Sequence, residues 1–150
     1  MPNRHEGTKR EKRALDTYVK LRRATESVTA QFNVRFAAAG LTESQFGALE
    51  ALYHVGPLCQ KDLARKILRT GGNLTLVLDN LEKRGLVRRE RDLDDRRFTT
   101  VHLTEEGRQL IATIFPAHAE NVVRHFAVLS ESEQELLAEL CKKLGLAAAK

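Results

Sequence analysis

The chain has 150 residues, of which 42% are hydrophobic, and a formal net charge of +5 at pH 7. This length and composition predict one domain with a hydrophobic core. No apolar run approaches the roughly 20 residues that cross a bilayer, and the polar start of the chain lacks the apolar segment of a signal peptide. We therefore expect a soluble, cytoplasmic protein with no membrane partner.

The positive charge is concentrated in the middle of the chain. Residues 60–100 contain eleven Lys and Arg against seven Asp and Glu, whereas residues 101–150 contain five against seven. A basic middle suits a polyanion that contacts only that part of the chain.

The sequence lacks the patterns that are typical of catalytic and metal sites. Its two cysteines, Cys59 and Cys141, are far apart with no CxxC pair, which argues against a disulfide framework and a structural zinc site. We find neither a nucleophile–base–acid set nor a phosphate-binding loop. We expect no cofactor, no metal ion and no enzymatic activity.

The first part of the chain predicts a disordered basic arm and then a long helix. Residues 1–8 form the arm, and apolar residues recur at helical spacing from about Lys9 to Ala39, before Gly40. Thr42-Glu43-Ser44-Gln45 has the form of a capping box and predicts the start of a second helix, which Gly56-Pro57 ends.

Two short helices and a β-hairpin are predicted next. The third helix covers about residues 60–68 and buries Leu63, Ala64 and Ile67, and Thr70-Gly71-Gly72 forms the turn after it. The fourth helix buries one apolar face and ends at Gly85, where a helix C-terminal glycine is expected. That face comprises Leu74, Val77, Leu78 and Leu81. Residues 86–91 and 98–103 alternate as two strands around an Asp/Arg-rich turn.

The last third of the chain predicts two more helices. One runs from a cap at Thr104 to about Leu129 and is kinked by Pro116. The other begins with the capping box at Ser130 and turns Leu136, Leu137, Leu140 and Leu144 inward. The fold class is thus mainly α with a small β-hairpin wing. We expect a winged helix-turn-helix DNA-binding lobe (41–103) in one continuous domain with helical dimerisation segments (9–40 and 104–146).

This order of elements predicts double-stranded DNA as the partner, because a winged helix-turn-helix places its recognition helix, here the fourth helix, in the major groove. The broad apolar stripes of the long helices favour a homodimer, which also matches a palindromic site. Candidate base contacts are Asn73, Thr75, Leu76, Asn80 and Lys83. Candidate phosphate contacts are Lys66, Arg69 and Thr70, with Gly71 and Gly72 allowing close backbone approach.

The wing carries the remaining DNA contacts, Arg96 and Arg97. Asp95 can pair with Arg97 and stiffen the turn, which leaves Arg96 at the tip to enter a minor groove. Sequence does not decide which arginine points outward, and a solvated hairpin tip is the alternative without function.

The chain resembles the MarR family, the multiple antibiotic resistance type of winged-helix regulator. The likeness covers about residues 41–107 and is most specific in Asp79–Val87, in the wing Asp92–Arg97 and in its exit Leu103-Thr104-Glu105-Glu106-Gly107. Leu76 and Leu93 depart from residues that are common at these positions in the family, so the operator sequence does not carry over.

The resemblance implies a homodimeric repressor that releases DNA when a small phenolic or oxidant signal binds between the dimer helices and the DNA-binding lobe. Candidates for the pocket of such an effector are Tyr18, Phe32, Phe36, Phe46, Tyr53 and His118. Their helical spacing is equally that of an ordinary core.

Cys59 is a candidate redox residue, because we expect it at the N-cap of the third helix, where thiolates are favoured. The alternative is a small, partly buried residue. A docking module for another protein is a further alternative function for the whole chain.

Overall fold

The computed structural model describes residues 4–67 and 71–149. It divides into two compact units, Met1–Phe115 and Pro116–Lys150. The predicted boundaries between DNA-binding lobe and dimerisation helices remain predictions. The elements are α1 (Lys9–Ala38), α2 (Glu43–Val55), β1 (Leu58–Cys59), α3 (Gln60–Lys66), α4 (Gly71–Lys83), β2 (Val87–Arg91), β3 (Thr99–Leu103), α5 (Glu105–Phe126) and α6 (Glu131–Ala148).

The first unit has a three-stranded antiparallel sheet with the order β1-β3-β2. The central strand pairs on both sides, since Val101 lies opposite Leu58 in β1 and opposite Arg89 in β2. Helices α2, α3 and α4 contact one another and the sheet around a single hydrophobic core. Its largest fully buried side chains are Leu49, Leu52, Leu63, Leu74, Leu78, Leu81, Val87, Val101 and Ile111.

In the part of the chain that the structure describes, capping boxes start three of the helices. The predicted boxes at Thr42 and Ser130 are confirmed, since each hydroxyl accepts a hydrogen bond from the N–H of the residue three places on. A third box, Thr8 with Glu11, starts α1. Thr8, which we predict to belong to the disordered arm, is the N-cap of this helix.

Thr104 joins the end of the wing to the start of α5. Its hydroxyl donates to the Gly85 carbonyl at 2.6 Å and accepts from the Gly107 N–H at 3.0 Å. Its own N–H donates to the Leu86 carbonyl at 3.1 Å. A Cβ on Gly107 would collide with that same Leu86 carbonyl oxygen. These contacts explain why Thr and Gly occur three residues apart after the second wing strand.

Several predicted boundaries were wrong by a few residues. The strand β1 was not predicted, because its two residues are too few to show the alternation of apolar and polar side chains that marks a strand. Gly71 and Gly72 are the first residues of α4 rather than part of a turn. The other differences are the end of α3 at Lys66 and the end of α5 at Phe126. Ile67 and Val77, which we predict on the buried faces of their helices, are half-buried and pack against the core.

The second unit contains the last part of α5 and α6, and it corrects one prediction. The Gln134 side chain closes the turn between the two helices by donating to the carbonyls of Phe126 and Leu129. Among the described residues, α6 buries none, and the leucines that we expected inward are 39–55% exposed. The spacing of the leucines identifies the apolar face of α6, but it does not show which surface covers that face.

Pro116 lies inside α5, as predicted.

In the described segments, no helix has the length and apolar character needed to cross a membrane.

Candidate nucleic-acid interface

The outer face of α4 carries polar side chains in the pattern that the sequence predicted. Leu74, Leu78 and Leu81 are fully buried and fix the orientation of the helix. The opposite side is therefore presented to solvent, because residues three and four apart share one face. Its exposed residues are Asn73, Thr75, Leu76, Asn80 and Lys83. Four of the five carry a hydrogen-bonding group at the tip, as readout of base edges requires.

One residue of this face is held from another helix. The Gln60 side-chain amide donates to the Thr75 hydroxyl at 2.9 Å. Gln60 is the first residue of α3, so this bond connects the two helices of the helix-turn-helix at the outer surface. Sequence reasoning missed Gln60, since nothing local indicates a partner fifteen residues away.

The candidate phosphate contacts are only partly described. Lys66 is exposed at the last position of α3, and Gly71 and Gly72 begin α4. Arg69 and Thr70 lie outside the described residues.

The wing turn is built by two aspartates. The Asp92 carboxylate accepts the backbone N–H groups of Asp94 at 2.8 Å and Asp95 at 3.1 Å. Asp95 in turn accepts the backbone N–H of Arg97 at 3.1 Å. The Asp92 N–H donates to the Phe98 carbonyl at 2.9 Å and closes the loop.

Arg97 is the arginine that pairs with Asp95. Its guanidinium donates twice to the carboxylate, from Nε at 3.0 Å and from Nη2 at 2.8 Å. This hydrogen bonding lowers the pKa of Asp95 and raises the pKa of Arg97. Arg96, beside it, is exposed. The Arg97 side chain remains 83% exposed, so the pair holds the arginine in place without burying it.

A second ion-pair cluster fixes the wing to α4. Arg89 of β2 donates to Asp79 at 2.6 Å and to Glu82 at 3.0 Å, both on α4. The Glu82 carboxylate also accepts the Arg89 backbone N–H at 2.9 Å. The hydrogen bond from Arg89 lowers the pKa of Glu82. Sequence reasoning missed this cluster, which sets the position of the wing relative to the helix.

Another missed contact joins the residue that follows α4 to the turn that follows α1. Arg84 donates to the Gly40 carbonyl at 2.7 Å, and Gly40 has a φ of 76°. The residue is part of the motif that carried the family resemblance. Its side chain therefore has a structural contact that involves no DNA.

The residues proposed as pocket lining differ in their burial and in their neighbours. Phe36 and Phe46 are buried and stack at 4.1 Å between ring centroids, as core residues do. Tyr18 is 56% exposed on α1. Tyr53 lies beside His54, whose ring contacts Phe115. The two remaining candidates, Phe32 and His118, are half-buried.

Cys59 is the N-cap of α3, as predicted, and it is half-buried. It lines a cavity of about 340 Å³ between α3 and the base of the wing, together with Lys61 and Phe98. The Lys61 ammonium lies 6.0 Å from the centre of the Phe98 ring. Within the described ranges, no cluster of His, Cys, Asp and Glu is arranged to hold a metal ion.

Comparisons with known proteins agree with this geometry. The MarR family model matches residues 41–99. The HTH-type transcriptional regulator MhqR of Bacillus subtilis (strain 168) is 37% identical over 134 residues, which are 89% of this chain and 92% of the relative.

Two solved structures are similar over most of the chain. BpsR of Bordetella bronchiseptica, whose DNA binding is regulated by 6-hydroxynicotinic acid, has a TM-score of 0.79 and 27% identity, and the match covers 87% of this chain and 98% of that one. NadR in complex with 4-hydroxyphenylacetate has a TM-score of 0.75 and 28% identity, and the match covers 96% and 97%.

Proposed function

The chain belongs to the MarR family of DNA-binding transcriptional regulators, and from this we propose that it is a homodimeric repressor with a palindromic operator. The function is that of a regulator and not of an enzyme. We further propose that a small hydroxylated aromatic molecule releases it from DNA.

One observation carries the DNA-binding mode. The exposed polar face of α4 and the wing tip belong to one compact unit, and the Arg89 cluster fixes the helix and the wing to each other. A recognition helix can insert into the major groove while the wing enters the neighbouring minor groove only if helix and wing keep a fixed relative position. In this mode α4 contacts base edges through Asn73, Thr75 and Asn80, and Arg96 enters the minor groove.

The proposal of a homodimer rests on exposed apolar side chains of the long helices. Isolated apolar residues on a surface need no explanation, but a stripe along one helix face favours an interface. On α6 these are Leu136, Leu137, Leu140 and Leu144, and on α1 they are Leu15, Tyr18 and Val19. A two-fold dimer presents two copies of α4 about one helical turn of DNA apart.

The proposal for the effector rests on two relatives. BpsR responds to 6-hydroxynicotinic acid, and NadR was solved with 4-hydroxyphenylacetate. Both molecules combine one aromatic ring, a hydroxyl group and a carboxylate. We propose a ligand of this chemistry for the present chain, with Tyr53 and Phe32 as candidate contacts.

Cys59 supports a second candidate mechanism. Its thiol lines the cavity between α3 and the wing base, so an oxidised or alkylated Cys59 would add bulk where α3 and the wing meet. The measurement is DNA release by hydrogen peroxide or benzoquinone from the parent and from Cys59→Ser. Equal release from both proteins would overturn the redox mechanism.

Selection of bound duplexes from a random pool tests the main proposal. We expect a palindromic site with half-sites about one helical turn apart, and a mass consistent with a dimer on that site. Titration of the complex with 6-hydroxynicotinate and 4-hydroxyphenylacetate then tests release. Enrichment of no sequence would favour a protein-docking module instead.

A further inference from the structure

We propose that Lys61 and Arg91 bind the DNA backbone that separates the groove read by α4 from the groove entered by the wing. The inference rests on the proposed binding mode and adds a phosphate site to it. Neither residue was among the DNA contacts predicted from sequence.

The first step is geometric. When α4 lies in the major groove and the wing tip lies in the neighbouring minor groove, one sugar–phosphate strand must pass between them. The protein surface between Thr75 of α4 and Arg97 of the wing therefore faces that strand.

The second step identifies this surface. Two adjacent cavities occupy it, of about 320 Å³ and about 340 Å³. Gln60 and Thr99 line both, so the cavities form one crease. Thr75 and Arg91 line the part of the crease near α4, whereas Lys61 and Arg97 line the part between α3 and the base of the wing.

The third step is charge. No Asp or Glu is among the residues that line either part of the crease, and the Lys and Arg residues that line it are Lys61, Arg65, Arg89, Arg91 and Arg97. Three of these five are held by carboxylates: Arg89 by Asp79 and Glu82, Arg97 by Asp95, and Arg65 by Asp62 at 3.7 Å.

Lys61 and Arg91 differ from those three. Both are exposed, and neither forms an ion pair with another residue in the described part of the chain. The ammonium of Lys61 instead lies over the Phe98 ring at the base of the wing. Lys61 interacts with the Asp95 carboxylate only through a weaker electrostatic attraction. Each part of the crease thus has one cation without a direct ion pair among the described residues, and each is suited to one backbone phosphate.

Salt dependence of binding measures such contacts directly, because each phosphate neutralised in B-DNA contributes about −0.9 to the slope of log K against log salt. The experiment is fluorescence anisotropy of the selected operator and of a scrambled duplex between 50 and 300 mM NaCl. We expect Lys61→Gln and Arg91→Gln each to reduce the steepness by about 0.9, and the double variant by about 1.8.

Loss of one phosphate contact should also weaken DNA binding by each single glutamine variant roughly fivefold at 0.15 M salt. It should do so equally for operator and scrambled DNA, since phosphate contacts carry no sequence information. Arg91→Lys keeps the charge and should keep the slope. Lys142→Gln, an exposed cation of α6, is the matched control and should change nothing.

The outcomes separate this inference from the function that it rests on. If the parent protein selects no operator, the proposed function fails. If the parent selects an operator but both glutamine variants keep its slope, only the backbone site is overturned. A loss confined to the operator would also overturn it, because Lys61 and Arg91 would then be reading bases.

Discussion

At the scale of single residues, the wing shows how one carboxylate assigns different roles to neighbouring arginines. Asp95 holds the guanidinium of Arg97 in two hydrogen bonds, while Arg96 is exposed beside it. A held arginine is positioned at little entropic cost on binding, whereas an arginine at the tip is able to extend into a groove. The sequence does not decide which of the two arginines pairs with Asp95, and the hydrogen bonds in the structure show that it is Arg97.

Arg96→Ala tests the role of the tip. We expect the affinity for the selected duplex to fall by about 1–3 kcal/mol, as for loss of a groove contact by arginine. The free energy of unfolding should change by less than about 0.5 kcal/mol, because the side chain is exposed. Anisotropy and urea denaturation measure the two quantities. Unchanged affinity in Arg96→Ala, together with lost binding in Arg97→Ala, would exchange the roles of the two arginines.

Gly107 is a second residue whose type is dictated by its surroundings. An added Cβ would collide with the Leu86 carbonyl oxygen, and that oxygen is fixed by the Thr104 N–H. We expect Gly107→Ala to lower the free energy of unfolding by about 1–3 kcal/mol, the range for overpacking. Gly145→Ala is the control, since nothing lies within 4 Å of its Cβ position in α6. That variant should be neutral or more stable by up to about 1 kcal/mol. Equal destabilisation of both would contradict the steric explanation.

At the scale of elements, we expect the Arg89 cluster to make the stability of the unit that contains α4 and the wing dependent on pH. Arg89 lowers the pKa of Glu82, so the pair adds stability above the ordinary pKa of glutamate. That contribution is lost as the pH falls through the lowered pKa.

Glu82→Gln tests this coupling by urea denaturation at pH 7 and at pH 3. We expect the variant to be less stable than the parent by about 1 kcal/mol at pH 7, a modest value because the site is partly exposed. The difference should shrink as the pH falls from the ordinary pKa of glutamate toward the lowered pKa of Glu82, because protonation removes the charge that Arg89 holds in the parent. Glu135→Gln, on the exposed surface of α6, should show no such change. A difference independent of pH would mean that shape, not charge, accounts for the effect.

Elements with a strong local pattern were predictable, and contacts between elements were not. The buried and exposed faces of α4 follow from helical periodicity, and its end follows from Gly85, whose φ of 72° suits glycine. In contrast, the Gln60–Thr75 bond and the Arg89 cluster depend on how helices and strands pack, which no local signal specifies. The same limit applies to the crease, because Lys61 and Arg91 are thirty residues apart in sequence.

At the scale of the whole molecule, the apolar face of α6 gives the last test. The Leu140 side chain is 52% exposed and lies on the stripe that we propose as a dimer contact. A carboxylate introduced there would be desolvated in a dimer, at a cost of several kcal/mol unless it found a partner. We expect Leu140→Asp to shift the protein to a monomer and to reduce operator affinity strongly, because each monomer retains only one half-site contact.

Ala138→Asp introduces the same carboxylate into the same helix but on its opposite, exposed face. It therefore controls for charge and for the lower helix propensity of Asp. Light scattering after size-exclusion chromatography should give a monomer mass for Leu140→Asp and a dimer mass for Ala138→Asp. If both variants remain dimers, α6 does not contribute its apolar face to the interface. The exposed apolar residues of α1 would then be the next surface to substitute, since a palindromic operator would still require two copies of α4.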